Sequence, residues 1–219
     1  MDKNIRIAIA DDHKLFGSGL NKILAENSHF LVVQNATNGR ELLDGLADSR
    51  PDVILLDLEM PVLSGREALK AIRETDSGIK VIMLTMHNNK KFILQMMELG
   101  ANGYLLKDTD PVEVITAVDK VTTSGYYFSD KVSLAMLQGI AEPKTTVNSL
   151  DVEHGLTQRE IDVLRLICKQ YTTAEIGDTL FLSPKTIEGY RKTLMEKTAS
   201  KNMAGLVIFA VKHGLFTEV

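Results

Sequence analysis

Cysteine occurs once in this chain, at position 168, and tryptophan not at all. A single cysteine excludes an intrachain disulfide and a thiolate metal cluster. Cys168 lies in the apolar run Val163-Leu164-Arg165-Leu166-Ile167-Cys168, where a free thiol serves as a small core side chain. No apolar stretch approaches the roughly 20 residues that span a bilayer. Met1-Asp2-Lys3-Asn4 leads straight into a strand-like run and carries no apolar signal-peptide segment. The expectation is a cytosolic protein without a membrane partner. Positive charge is not in excess either. The net charge of −4 excludes a generic polyanion binder. That charge sits in the first part of the chain, with 16 basic and 20 acidic residues before Leu150 and 9 of each from there on.

What is present is a set of four short apolar runs, each ending on a residue useful to phosphate chemistry. Arg6-Ile7-Ala8-Ile9-Ala10 ends on Asp11-Asp12, and Val53-Ile54-Leu55-Leu56 on Asp57. Val81-Ile82-Met83-Leu84 ends on Thr85, and Tyr104-Leu105-Leu106 on Lys107. If the runs are parallel strands, all of these groups stand at carboxyl ends of strands. Open α/β sheets place their ligand site there.

The first 127 residues alternate strand and helix. Strands are predicted over 5–10, 31–36, 53–57, 81–85 and 103–106, nearly continuous in aliphatic residues as in sheets covered on both faces. Amphipathic helices are predicted near 13–26, 38–48, 65–75, 89–99 and 111–124. Ser64-Gly65-Arg66-Glu67 fits a capping box, and Pro111 suits a first helical turn. Five such repeats imply a parallel sheet with right-handed crossovers, and the flavodoxin-like order suits this length. Residues 129–141 read as a helix, and residues 142–149, polar with one proline, as the linker. The expected organisation is thus an α/β domain over 1–127, a helical linker over 128–154 and an all-α domain over 155–219. In the last, Thr157-Gln158-Arg159-Glu160 and Thr172-Thr173-Ala174-Glu175 are further capping boxes. Ser183-Pro184 opens another helix after a tight turn at Phe181-Leu182. Asn202 caps a last helix. The result is a four-helix unit containing a helix-turn-helix.

Three carboxylates crowded at one sheet edge repel unless a cation neutralises them. Mg2+ accepts oxygen ligands and typically uses one or two carboxylates plus phosphate. A carboxylate beside it can take up a phosphoryl group, with Lys107 and the Thr85 hydroxyl as donors to the transferring oxygens. Residues 5 to about 125 resemble the receiver domain of two-component response regulators. The resemblance rests on Asp11-Asp12, Asp57, Thr85 and Lys107, with Pro61 and Gly65 in the following loop. It implies Asp57 as phosphoacceptor, and Asp12, Asp57 and the Glu59 backbone carbonyl as Mg2+ ligands, with Asp11 acting on them from behind. It also implies Thr85 and Tyr104 as switch residues and Lys107 as the phosphate-binding cation. Glu59 and His87 lie where this family tunes the lifetime of the phosphorylated state. Met86 replaces a smaller residue and would slow small phosphodonors or attacking water.

Residues 156 to about 215 resemble the LuxR/NarL-type DNA-binding domain, on Leu156-Thr157-Gln158-Arg159-Glu160, Ala174-Glu175-Ile176 and Leu182-Ser183-Pro184-Lys185-Thr186-Ile187. Such a domain lays its second helix, here about 184–198, in the major groove. Ile187, Tyr190 and Leu194 are spaced to face the core. Lys185, Thr186, Arg191, Lys192 and Lys201 are candidate phosphate contacts. Glu188 can accept from a cytosine amine, and Gly189 lets the backbone approach the groove while weakening the helix by about 1 kcal/mol. The last helix, with Met203, Val207, Ile208 and Val211, is expected to expose aliphatic residues that the family uses for dimerisation, with part of that stripe also in the core. Together these features imply a transcription regulator phosphorylated by a sensor histidine kinase. It would bind double-stranded promoter DNA as a homodimer when phosphorylated, with RNA polymerase a further candidate partner. It would not be an enzyme beyond Mg2+-dependent self-phosphorylation and self-dephosphorylation. Three rivals are an Asp-nucleophile phosphatase with Glu59 as general acid, a phosphorylated protein-binding module without DNA activity, and a regulator that does not use phosphorylation, against which the intact acidic site counts.

Overall fold

The computed structural model describes residues 4–86, 90–129, 132 and 155–216. Six strands form one parallel sheet: β1 (Ile5–Ala10), β2 (Phe30–Ala36), β3 (Val53–Asp57), β4 (Lys80–Thr85), β5 (Gly103–Leu106) and β6 (Tyr127–Phe128). Their order is β2-β1-β3-β4-β5-β6, so the flavodoxin-like arrangement of the first five holds. The sixth strand was not anticipated. Tyr127 and Phe128 pair with Gly103 and Tyr104, and two residues are too few to show an alternating pattern.

Helices α1 (Lys14–Ala25), α2 (Gly39–Ser49), α3 (Gly65–Thr75), α4 (Lys90–Leu99) and α5 (Pro111–Thr123) cover both faces. Successive strand side chains point to opposite faces, which explains the unbroken apolar runs. Ile7, Ile9, Val53, Leu55, Ile82 and Leu84 pack with Leu20 and Leu24 of α1 and Val114, Val118 and Val121 of α5. Ala8, Ile54, Leu56, Val81 and Met83 pack with Leu42 of α2, Leu69 and Ile72 of α3 and Met96 of α4. Each fully buried Leu or Ile contributes about 1.5–3 kcal/mol. The predicted box at Ser64 and Glu67 forms, and Asp110 caps α5 with Pro111 in its first turn.

The helical domain contains α6 (Gln158–Cys168), α7 (Thr173–Leu180), α8 (Pro184–Thr198) and α9 (Met203–Lys212). Both predicted boxes form, at Thr157–Glu160 and Thr172–Glu175. Helices α7 and α8 meet at Phe181, whose φ of 56° turns the chain. Ile187 and Leu194 are buried and Tyr190 is half-buried, as their spacing predicts. The helix expected over 129–141 and the linker lie almost entirely outside the described residues.

One expectation is overturned. Met203, Val207 and Ile208 do not form an exposed stripe: they are buried at 8%, 7% and 3% exposure, and Val211 is half-buried. Helix α9 packs on α6 and α8 and also on α4 of the α/β domain. A Cβ on Gly125 would stand 3.0 Å from Met203 Cγ. The Tyr126 hydroxyl donates to the Ile167 carbonyl, and Lys212 pairs with Glu98 of α4.

Candidate functional site

The parallel register brings the four run ends together. Ala10 pairs with Leu56, Asp57 with Leu84, and Thr85 with Leu106, so Asp11, Asp57, Thr85 and Lys107 share one sheet edge. Lys107 Nζ lies 2.7 Å from Asp57 Oδ2 and 2.8 Å from Asp11 Oδ2. Asp11, Asp57 and Thr85 are buried, whereas Asp12 opens to solvent. Glu59 is also exposed, and its N–H donates to Asp57 Oδ1 at 3.4 Å. Met86 stands 74% exposed beside Thr85. His87 lies outside the described residues.

Negative charge exceeds positive charge here, and the ionisation equilibria follow. Burial pushes the Asp57 carboxyl above the usual range, against the opposing pull of Lys107. Burial disfavours the charged Lys107, but its bonds to Asp11 and Asp57 outweigh that and raise its pKa. Both groups hold their protons more tightly than usual, as expected in a site short of cations.

Two neighbours were missed from the sequence. His13 Nδ1 lies 3.0 Å from Asp12, 3.4 Å from Asp11 and 3.9 Å from Asp57. Adjacency to the acid pair was the available signal, but which way the turn aims the ring is a tertiary property. The Phe16 ring sits 5.0 Å from Lys107 Nζ, a cation–π distance. Ligand atoms of Asp11, Asp12, His13 and Asp57 all lie within 4.8 Å of one another. This cluster could hold a metal ion.

Thr85 and Tyr104 are linked. Tyr104 is fully buried on β5, its hydroxyl bonded to Thr85 and its pKa raised by burial. The loop after Asp57 is tightly drawn. Leu63 N–H donates to Pro61 O at 2.7 Å around Val62, whose φ is 67°, a γ-turn.

On α8, Lys185, Thr186, Glu188, Gly189 and Lys192 are exposed, as is Lys201 beyond its end. Gly189 faces open space, with nothing within 4 Å of a Cβ built on it. The structure does not group Arg191 with them. Arg191 lies on the flank next to the inward row and is half-buried. One of its terminal nitrogens donates to Tyr171 O at 3.3 Å, and its Nε is buried without a hydrogen-bond partner. Burial pulls its pKa down.

Residues 7–119 match the model of the response regulator receiver domain, and residues 154–210 match bacterial regulatory proteins of the luxR family. The chain is a response regulator of the receiver plus LuxR type. It is 30% identical to the transcriptional regulatory protein DegU of Brevibacillus brevis, over 97% of this chain and 95% of that one. It is 31% identical to the response regulator UvrY of Escherichia coli K12, over 96% and 95%. Among solved structures it is similar to the RcsB response regulator of Salmonella typhimurium, described for its conformational dynamism in DNA interaction. That match has 28% identity and a TM-score of 0.59 and covers 95% and 98% of the two chains. This response regulator therefore joins a receiver to a DNA-binding domain in a family of transcription regulators. Among its described residues no helix is long and apolar enough to cross a membrane.

Proposed function

We propose that Asp57 accepts a phosphoryl group from a sensor histidine kinase, with Mg2+, and that this modification shifts the conformation and dimerisation controlling promoter binding. The observation that carries the reading is the buried Asp57 carboxylate at a strand end with Lys107 Nζ 2.7 Å from it. The donors suit Mg2+: Asp12 and Asp57 offer hard oxygens, the Glu59 carbonyl lies in the same loop, and Asp12 opens to water for the ligands Mg2+ keeps. Bound there, Mg2+ would neutralise the carboxylates and the charge on the transferring oxygens. Asp57 Oδ supplies the nucleophile. Lys107 is already held at the oxygen edge by Asp11, and can turn to the new phosphoryl oxygens without leaving the site. Self-dephosphorylation would return Asp57 through attack by water at the same open rim, beside Met86.

The switch follows from the Thr85–Tyr104 bond. A phosphoryl group on Asp57 offers the Thr85 hydroxyl a stronger, charged acceptor. Thr85 turning to it releases the buried Tyr104 hydroxyl. The two arrangements must differ in affinity for the phosphoryl group for the population to shift. In the helical domain the exposure of Lys185, Thr186, Lys192 and Lys201 supports assigning them to phosphates, and the exposure of Glu188 and Gly189 supports assigning them to the groove. Promoter DNA places the protein in the cytoplasm, and an exposed regulator on DNA is within reach of RNA polymerase.

Intact mass after incubation with Mg2+ and acetyl phosphate, beside Asp57→Ala, tests the first step. One phosphoryl group on the wild type alone supports Asp57 as acceptor. A group on both proteins would assign the chemistry elsewhere. Fluorescence anisotropy on duplex DNA across a salt series tests the second. Affinity that falls steeply with salt supports phosphate contacts.

A further inference from the structure

His13 Nδ1 reaches into the acid site and is claimed by two groups there. Asp12 Oδ1 stands 3.0 Å from it and Lys107 Nζ 3.3 Å. A ring nitrogen either carries a proton to donate or offers a lone pair. Nδ1 therefore cannot donate to Asp12 and accept from Lys107 at once. The ring is not engaged in capping either. His13 stands at the N-cap position of α1, but its side chain makes no capping bond. Its backbone N–H donates to Asp11 Oδ1 at 2.8 Å, and this bond fixes the turn that sets the ring over the carboxylates.

The separations around Nδ1 are those of ligands around one small cation. Donors about 2.1 Å from a shared ion lie about 3.0 Å apart at right angles and about 3.4 Å apart at the tetrahedral angle. Nδ1 lies 3.0 Å from Asp12, 3.4 Å from Asp11 and 3.9 Å from Asp57. Lys107 holds Oδ2 of both Asp11 and Asp57. The other oxygen of Asp57, Oδ1, takes a long bond of 3.4 Å from the Glu59 N–H and is the one left to an ion. The side chains of His13 and Asp12 are 66% and 36% exposed, so water can complete the shell.

A nitrogen donor changes which ion a site prefers. Mg2+ is a hard cation that takes oxygens and keeps several waters. Imidazole suits the later first-row ions, whose affinity for a mixed nitrogen and oxygen site rises through Co2+ and Ni2+. We propose that His13 selects the metal of the acid site: with Asp12 and Asp57 it forms a mixed nitrogen and oxygen site for a late first-row divalent cation of the Co2+ and Zn2+ class, which displaces Mg2+ there. This rests on the reading above that the acid site holds a divalent cation. It gives His13 a part in choosing the ion that the oxygen ligands do not play.

The test titrates the full chain, without phosphodonor, with Co2+ alone and with Mg2+ alone. Calorimetry reads both affinities, and the visible absorption of bound Co2+ reads its ligands. Wild type is set beside His13→Gln and Asp12→Asn. Glutamine keeps a polar side chain at an exposed position and gives up the ring nitrogen, so His13→Gln should melt as the wild type does. In the wild type Co2+ should bind more tightly than Mg2+. His13→Gln should bind Co2+ at least about tenfold more weakly, with an altered Co2+ spectrum, while its Mg2+ affinity stays within about twofold. Asp12→Asn should weaken both ions, placing Co2+ at the acid site and not on another of the 5 histidines. Equal Co2+ affinity in wild type and His13→Gln overturns the proposal. So does an equal loss of Co2+ and Mg2+, which would make His13 a support of the site and not the selector of its ion, and so does Co2+ binding that survives Asp12→Asn. Phosphoryl uptake is read separately. Co2+ binding that depends on His13, in a protein whose Asp57 stays unmodified by Mg2+ and acetyl phosphate, would uphold the metal assignment and sink the phosphorylation reading. An Asp57 phosphorylated with Mg2+, in a protein whose Co2+ affinity ignores His13, would do the reverse.

Discussion

The carbonyl oxygen of Asp57 lies 1.9 Å from where a Cβ on Gly65 would stand. The first turn of α3 therefore rests directly on the backbone of the proposed phosphoacceptor, and Gly65 N–H donates to Leu58 O at 3.0 Å to hold it there. Glycine is required here by close approach. Gly65→Ala forces the end of β3 and the start of α3 apart, since the contact atoms are backbone and not the end of a flexible side chain. A loss of about 3 kcal/mol, the upper range for overpacking, is expected in urea unfolding, with phosphorylation by acetyl phosphate reduced in whatever folds. Wild-type stability in this variant would show that the loop slides freely.

Asp57 should weaken the fold it serves. Its pKa is raised by burial, so the folded state holds this proton more tightly than the unfolded chain. Stability then falls as pH rises from the ordinary carboxylate value, about 4, through the folded one, and the penalty remains in full at neutral pH. The amide introduced by Asp57→Asn carries no such charge, and Lys107 keeps Asp11 at 2.8 Å. This variant is expected to melt higher at pH 7, by roughly 4 °C for about 1 kcal/mol. The gain should vanish as pH drops below about 4, and Mg2+ should narrow it by stabilising the wild type. A lower melting point at pH 7 would mean that the pair with Lys107 outweighs the cost of burial.

The sheet and the acid site were legible because each depends on short local signals. An apolar run ending on Asp57 or Lys107 defines both a strand and the position of its last residue, and parallel pairing does the rest. The placement of His13 over the acids and of Phe16 beside Lys107 was not legible, since each depends on how a turn or helix is aimed. The half-burial of Arg191 and the full burial of the Met203–Val207–Ile208 row were not legible for a related reason. Their periodicity on α8 and α9 is local, but what lies against them is the other domain, and no stretch of sequence encodes that docking. Val62 was passed over because a γ-turn leaves no pattern in residue type, least of all when a β-branched residue occupies it.

That residue is a source of strain. Val62 is 82% exposed with a φ of 67°, a region that β-branched side chains rarely enter. Such positions cost about 1–3 kcal/mol and gather at functional loops. Val62→Gly removes the steric cost and adds back some unfolded-state entropy, so a net gain of about 1 kcal/mol is expected by denaturant unfolding. The phosphorylation rate should change as well, because the turn sits between the Glu59 carbonyl and Gly65. A destabilised Val62→Gly would show that the loop is held by the valine side chain instead.

Gly189 separates what the fold needs from what DNA needs. It lies in the middle of α8 with open space around it, so a methyl group meets nothing and the backbone gains helical preference. Gly189→Ala should stabilise the helical domain by about 0.5–1 kcal/mol, read from thermal unfolding of the full chain. On DNA the same methyl group stands on the exposed face between Lys185 and Lys192. If the backbone there approaches the groove closely, affinity for duplex DNA falls although the protein is more stable, and the salt dependence, set by phosphate contacts, stays the same. Loss of affinity with a shallower salt slope would place Gly189 beside the sugar-phosphate backbone. Unchanged affinity would show that the backbone at Gly189 does not approach the groove closely, and would leave the base contacts to the longer side chains of the same face, Glu188 and Lys185.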